Sequence, residues 1–323
     1  MNTAPRDPVL GWLLAGDPAI RWQVERDLQD SPATMWRAEQ ARVAKEGWGA
    51  RLLAHQDRTG RWTARLYGHK WISTTYSMVL LWQMGLPRDD PRAVTPCRLF
   101  LDEALRPDGG IDPSVTAGRG EACVTGMVLG LLSWFRADDP RRELLVGYLL
   151  GQQMKDGGWN CQRCQGATHG SFHTTINVLE GLHEYAERNG PRAAEVRKAE
   201  AAGREFFLNH HLYRSHRTGQ IANPAFTRFS FPPRWHHDVL RTLDYFRASR
   251  AAYDARLTDA IGLVVKKRTE DGRWVLQNRY PGRVFFEMEK VGTPSRWNTL
   301  RALRVLRWYE RAKRTRQGAK WPK

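Results

Sequence analysis

Lys155-Asp156-Gly157-Gly158-Trp159, followed after a short loop by His173-Thr174-Thr175-Ile176-Asn177-Val178-Leu179-Glu180-Gly181-Leu182, is the stretch that decides the fold. A polar Asp/Gly turn leads through a loop of about ten to twenty residues into an apolar helix that opens on a functional side chain. The turn recurs as Gln56-Asp57-Arg58-Thr59-Gly60-Arg61-Trp62, Arg106-Pro107-Asp108-Gly109-Gly110 and Thr269-Glu270-Asp271-Gly272-Arg273-Trp274, with a degenerate copy at Arg217-Thr218-Gly219-Gln220. Measured between Gly60, Gly109, Gly157, Gly219 and Gly272, the steps are 49, 48, 62 and 53 residues. A period of that size is the mark of an array of helical hairpins.

The helices after the turns carry apolar residues around most of their circumference, as in 71–81 and 123–132, which suits an inner layer. Further inner helices are expected to start at Pro18, Trp235 and Trp297. Segments 141–153 and 191–207 are amphipathic and suit an outer layer with one wet face. The fold expected is all-α, an α/α toroid of about six inner and six outer helices. It forms a single domain over residues 1–310, with the repeat clearest over 50–310 and a basic tail at 311–323. No segment alternates strictly enough to read as a strand.

At 323 residues the chain can bury a large core, and its 41 % hydrophobic content is that of a globular protein, unusually rich in Trp with 14. No run approaches 18 uncharged apolar residues and the first residues lack a signal-peptide core, so a cytoplasmic protein is expected. Four Cys without a secretory signal point to thiols or a metal rather than a disulfide framework. The net charge of +17 fits an anionic partner, nucleic acid included, and equally fits an arginine-rich solvated surface.

In a toroid every inner helix runs the same way, so the inner N-termini meet at one mouth. The residues placed there are Trp22, Lys70, Trp71, Arg119, Glu121, Cys123, His173, Arg234, Trp235, His236, Asp238 and Trp297. Helix N-termini with Arg and Lys make an anion receptor, and the Trp faces line an apolar pocket or meet a cation. His236 is suited to general acid/base work, with Asp238 to orient it. The same Trp and Arg also serve as barrel plugs and ion-pair partners. Cys161-x-x-Cys164 with His169 and His173 has the residue types and spacing of a zinc site. Buried thiols and a hydrogen-bonded core histidine are the competing reading.

The Gly-Gly-Trp turns resemble the repeat of the protein prenyltransferase β-subunits and squalene/terpenoid cyclases, over roughly residues 50 to 310. Phe172-His173-Thr174-Thr175 running to Leu179-Glu180-Gly181-Leu182 is similar to the prenyltransferase segment that supplies a zinc-binding His. One repeat earlier, Glu121-Ala122-Cys123 resembles the Asp-Gly-Cys segment that supplies carboxylate and thiolate ligands. The resemblance implies zinc on Cys123 and His173 with Glu121 as a carboxylate ligand, and Arg119 on an anionic substrate end. Combined with the CxxC spacing, it implies a merged site of Cys123, Cys161 and His173, completed by Glu121, Cys164 or His169. Glu in place of Asp and the additional Cys161 and Cys164 depart from the family pattern.

The Asp-x-Asp-Asp acid of class II terpenoid cyclases does not occur, and Asp89-Asp90-Pro91 and Asp138-Asp139-Pro140 read as turns or caps. The adjacent Cys-His pair of lanthionine-synthetase-like cyclases does not occur either, nor do P-loop, Rossmann, GxSxG or kinase signatures. The expected function is that of a zinc-containing enzyme of the prenyltransferase/squalene-cyclase type, binding an apolar or prenyl-type substrate in the lumen. Any anionic end would be held by Arg119, Lys70 or Arg234, a metal-activated thiol or water would react, and no partner subunit is evident. A basic nucleic-acid- or anion-binding toroid with structural zinc, and a non-catalytic scaffold, are the alternatives.

Overall fold

A computed structural model describes residues 7–114 and 118–318. In chain order the helices are α1 (Pro8–Leu14), α2 (Pro18–Asp27), α3 (Ala33–Arg42), α4 (Gly47–Leu53), α5 (Thr74–Met84), α6 (Pro91–Leu99) and α7 (Ala122–Trp134). There follow α8 (Arg142–Gln152), α9 (Phe172–Ala186), α10 (Ala193–Asn209), α11 (Val239–Ala248), α12 (Thr258–Lys266) and α13 (Arg296–Gly318). Short 3-10 and π-helical segments and isolated β-bridges accompany them, and no strand occurs among the described residues, so the fold is all-α.

Six of these helices, α2, α5, α7, α9, α11 and α13, form a closed inner ring, and side chains trace its closure. Trp22 Nε1 on α2 donates to Met84 O on α5 at 2.9 Å. Trp134 Nε1 on α7 reaches Leu86 O just past α5 at 2.9 Å. Gly126 and Gly181 let α7 and α9 touch backbone to backbone, and a Cβ on Gly181 would lie 2.0 Å from Gly126 O. Arg241 on α11 grips Glu180 on α9. Arg304 on α13 pairs with Asp244 on α11 and, at 3.0 Å, with Asp27 on α2. The remaining helices lie outside this ring.

The Asp/Gly turns explain how the sequence builds this shape. Trp62, Trp159 and Trp274 each donate their indole N–H to a carbonyl ten residues earlier, Leu52 O, Leu149 O and Val264 O, at 2.7–2.8 Å. Each thereby ties the turn to a carbonyl in the last turn of an outer helix. The backbone N–H of Trp62, Ile111, Trp159 and Trp274 in turn donates to Thr74, Thr125, Thr175 and Thr299 Oγ1 in the first turns of the following inner helices. The glycines at 60, 109, 157 and 272 have φ of +80° to +87°, which L side chains resist. The space there is also taken: a Cβ on Gly157 would meet Ala202 O of the next outer helix at 2.3 Å. Gly272 packs on Val9, so α1 closes the outer layer. The degenerate copy at Gly219 has no Trp, has nothing within 4 Å of its Cβ position, and forms a small hairpin bridged at Arg214 and Ile221.

Two expectations are corrected. The helix expected from Trp235 begins at Val239, because Asp238 caps it by accepting from Arg241 N–H at 2.8 Å. The tail expected from residue 311 continues α13 to Gly318, and residues 319–323 lie outside the described residues. No described helix is long and apolar enough to cross a membrane.

Gly181→Ala is expected to lower stability by about 1–3 kcal/mol or more by forcing α7 and α9 apart. Gly262→Ala, on the exposed face of α12 with nothing within 4 Å, is expected to raise it by up to about 1 kcal/mol. Urea midpoints of the two variants check both signs.

Candidate active site

The inner helices place two different surfaces at the two ends of the lumen. Their C-terminal halves enclose a cavity of about 510 Å³ whose lining includes seven arginines against five carboxylates and one histidine. Trp22 and Trp297 line this cavity too. Trp22 therefore faces the end opposite the expected mouth, and Trp297, on the first turn of α13, stacks on Phe231 at 3.9 Å between ring centroids. The lumen on this side is a lattice of ion pairs. Asp244 and Asp27 are held well ionised despite burial, Asp27 by Arg26, Arg247 and Arg304, and Asp244 by Arg304, Arg247 and Arg301. The apolar lumen expected from the sequence is thus confined to the other end. Four arginines, Arg234, Arg241, Arg301 and Arg304, are buried, so part of the chain's positive charge is internal.

At the N-terminal mouth, residues 234–236 form an aromatic and cationic strip that three hydrogen bonds fix from below. Arg241 donates to Arg234 O and His236 O at 3.2 and 2.7 Å, and Asn177 Nδ2 donates to Trp235 O at 2.8 Å. His236 is stacked between Trp235 and Tyr280, with centroids 3.7 and 3.5 Å away. Trp71 presents its edge to His236 at 5.9 Å, and Lys70 Nζ lies 5.7 and 5.8 Å from the Trp71 and Trp235 ring centroids. His237, the neighbour of His236, is fully buried against Phe172, Phe207 and Phe226. Asp238 has no part in the strip: besides capping α11 it accepts from Ser230 Oγ at 2.8 Å. Its oxygens face the core, so it does not orient the His236 ring.

The thiols converge beside this strip. Ligand atoms of Glu121, Cys123 and Cys161 lie within 4.8 Å of one another. Cys161 Sγ accepts from Cys123 N–H at the start of α7 at 3.3 Å and from Thr174 Oγ1 in the first turn of α9 at 3.5 Å. The Cys123 thiol and these two donors pull the Cys161 thiol below its ordinary value, against the cost of burial. Cys123, which would share the charge, is pushed well up by that same contact and by burial. Burial also raises Glu121. Three potential anions thus crowd one helix N-terminus.

His173 stands next to this group without joining it. The His237 backbone N–H donates to His173 Nδ1 at 2.8 Å, which occupies the ring's lone pair and leaves Nε2 carrying the proton. A ring in that tautomer offers no nitrogen lone pair to a metal. Burial, then the Arg241 charge, lowers its pKa to about 4, and burial with His173 and Arg241 lowers His236 to about 3. Cys164 is exposed and donates weakly to Cys161 O at 3.6 Å. His169 is exposed and accepts from Arg217 at 2.9 Å, so neither belongs to the thiol group. Arg119 is exposed in the loop before α7. Sequence reasoning missed Tyr67 and Tyr76, whose hydroxyls are 2.7 Å apart at this mouth, and Tyr280; Tyr67 and Tyr280 lie outside the turns and helices of the repeat, and Tyr76 reads as one more apolar position of an inner helix.

Fold and site together define an α/α toroid with an aromatic, cationic mouth and a dithiol–carboxylate group at its rim. No family model matches the chain, and no curated protein matches it. Among solved structures, it is similar to a protein from Actinoplanes, at 18 % identity and TM-score 0.47 over 91 % of this chain and 90 % of that one. It is also similar to type II terpene cyclase MstE from Scytonema, at 15 % identity and TM-score 0.34 over 87 % of this chain and 99 % of that one. An MstE variant in complex with geranylgeranyl dihydroxybenzoate gives 15 % identity and TM-score 0.34 over 85 % and 97 %. These are similarities of fold.

The neutral histidines of the mouth, His173 and His236 together with the fully buried His237, set a pH dependence. A folded pKa below the unfolded value of 6.5 means that the unfolded chain takes up the proton first as the pH falls. The stability they contribute is complete above about pH 6.5 and is lost as the pH falls towards 4 and then 3. Urea midpoints are expected to decline across that window in the wild type and less steeply in His236→Phe, which keeps the stacking. Equal slopes would show that the His236 ring is not held neutral.

Proposed function

We propose that the protein is a toroid enzyme that binds an apolar, prenyl-type substrate against its aromatic mouth and reacts at a zinc-thiolate centre of Glu121, Cys123 and Cys161. The carrying observation is the convergence of those three ligand atoms within 4.8 Å at the start of α7. A tetrahedral ion with Zn–S of about 2.3 Å and Zn–O of about 2.0 Å sets ligand atoms roughly 3.5–4 Å apart, so small side-chain shifts suffice. The donor set also fits: two thiolates and a carboxylate leave one position open, as catalytic zinc sites do. Zinc held there would supply charge that ionises the crowded thiols and lowers the pKa of a thiol or water in the open position.

The chain's own residues supply the rest. Cys161 keeps its sulfur oriented through Thr174 Oγ1 and Cys123 N–H. His173, neutral and fixed by the His237 backbone, offers Nε2–H as a donor rather than a ligand. Trp71, Trp235 and Tyr280 offer π-faces to an apolar chain or a developing cation, with Lys70 at the rim for a negative group. With its pKa lowered to about 3, His236 is a weak base at neutral pH and serves the site through its ring, stacked between Trp235 and Tyr280.

Elemental analysis of untagged protein purified without chelator is expected to find one equivalent of zinc, lost in Cys123→Ala and Cys161→Ala and kept in His173→Ala. Circular dichroism and the melting temperature show whether each variant is folded. Metal-free, folded wild type would overturn the reading, and zinc loss confined to His173→Ala would replace the ligand set.

A further inference from the structure

Three of the four buried arginines have acidic partners: Arg241 with Glu180, Arg301 with Asp244 at 3.7 Å, and Arg304 with Asp244 and Asp27. Arg234 is the exception. Its side chain is among the buried polar groups, at 8 % exposure, and no described residue accepts a hydrogen bond or forms an ion pair with its guanidinium. It lies over the Trp71 ring, 5.4 Å from the centroid. The nearest carboxylate in its field, Glu287, is spent on an ion pair with Arg279. Burial lowers the Arg234 pKa to about 10, so the group remains charged at neutral pH.

A charge taken out of water without a partner is costly, and proteins keep one where a ligand completes it. Arg234 opens onto a small cavity between α5 and the segment 276–289. Its lining mixes apolar side chains such as Leu80, Phe231 and Met288 with charged ones, and its volume of about 40 Å³ takes two or three water-sized atoms. Of the charged ones, Arg279 is paired with Glu287, and Glu289 accepts from Ser295 Oγ and Arg296 N–H, which leaves Arg234 as the charge on this cavity without a partner. A second polar side chain of the same lining also lacks a partner: Ser77 Oγ on α5 is buried with no hydrogen bond. The segment roofing the cavity is tied down by Trp71 Nε1, which donates to Tyr280 O and Pro281 O at 3.1 and 3.0 Å.

We propose that this cavity is a carboxylate-binding site, in which the guanidinium of Arg234 and the hydroxyl of Ser77 hold the acid end of an otherwise apolar organic acid. One uncompensated cation matches one negative charge. A diphosphate would bring two or three charges and more volume than the cavity has. The guanidinium fork fits the two oxygens of a carboxylate, and the apolar part of the lining, Leu52, Leu80, Phe231, Leu276 and Met288, suits a hydrocarbon body. The site names the acid end of the substrate at the mouth described above. It rests on that reading for the reaction, though binding itself needs no metal. Tyr76 separates the two, lying within electrostatic reach of both Cys123 and Arg234.

The test is binding of a straight-chain carboxylate series, acetate to decanoate, followed by calorimetry beside the matching alcohols and alkyl phosphates. Saturable binding is expected for the longer carboxylates, at least tenfold weaker in Arg234→Met, weakened in Ser77→Ala, and absent for the alcohols. Without ligand, Arg234→Met is expected to melt higher than wild type, since it removes an unpaired buried charge; a merely structural arginine would make it melt lower. No saturable carboxylate binding by folded wild type, equal binding by Arg234→Met, or tighter binding of the phosphates would each overturn the proposal. Cys161→Ala separates the two readings. Carboxylate binding with zinc absent throughout would leave this site standing and remove the metal centre, while zinc without carboxylate binding would do the reverse.

Discussion

The structure depends on one repeated contact, the pin that fastens the Asp/Gly turns to the helices on either side of them. At three turns an indole N–H binds the end of the outer helix, and at four a backbone N–H binds a threonine in the first turn of the next inner helix. Each bond is worth about 0.5–1.5 kcal/mol, but their consequence is geometric. The four inner helices so pinned, α5, α7, α9 and α13, are started at a fixed height and in the same direction. With α2 and α11 running the same way, the N-termini reach one face of the ring, and their partial positive charges add there. Cys161, which follows a pinned turn, is thereby delivered to the N–H groups of α7 and to Thr174 on α9.

The two ends of the lumen follow from the same parallel arrangement. Where the helices end, carbonyl dipoles and carboxylates attract arginine, and Arg304, Asp244 and Asp27 fill the space with paired charge. Where they begin, the chain keeps aromatic faces and neutral imidazoles, and the strip 234–236 separates the two regions. Arg241 links them, since one guanidinium satisfies Glu180 on the lumen side and two carbonyls of the strip on the other. The aromatic mouth is thus held in shape by charges behind it.

The period of the turns made the toroid legible, because glycine and tryptophan at those positions have local mechanical jobs that composition exposes. The same signal located Glu121 and Cys123 at a helix start, while the spacing of Cys161-x-x-Cys164 drew attention to Cys161. What failed to show in the sequence depends on contacts between distant segments. His173 carries every mark of a ligand until the backbone of His237, 64 residues away, takes its Nδ1. Trp235 reads as a helix start because aromatic and apolar residues continue beyond it, yet Pro232-Pro233 before it and the capping carboxylate of Asp238 after it move the start to Val239. The charged lattice was invisible for another reason: Arg301 and Arg304 on α13 resemble any arginine-rich surface helix until the ring closes around them.

That lattice also gives Arg234 its meaning. This chain carries many arginines, and one left unpaired would be unremarkable on the surface, where water solvates it. Inside, the fold has matched each of the other buried guanidiniums to a carboxylate, so the means to satisfy Arg234 were at hand. Glu287 is within its field and is instead committed to Arg279. The same cavity is lined by Ser77, whose buried hydroxyl also has no hydrogen-bond partner, so two polar side chains around one small space are left without partners. A site that must accept and release an anion needs this arrangement: a partner supplied by the protein itself would compete with the ligand on every cycle.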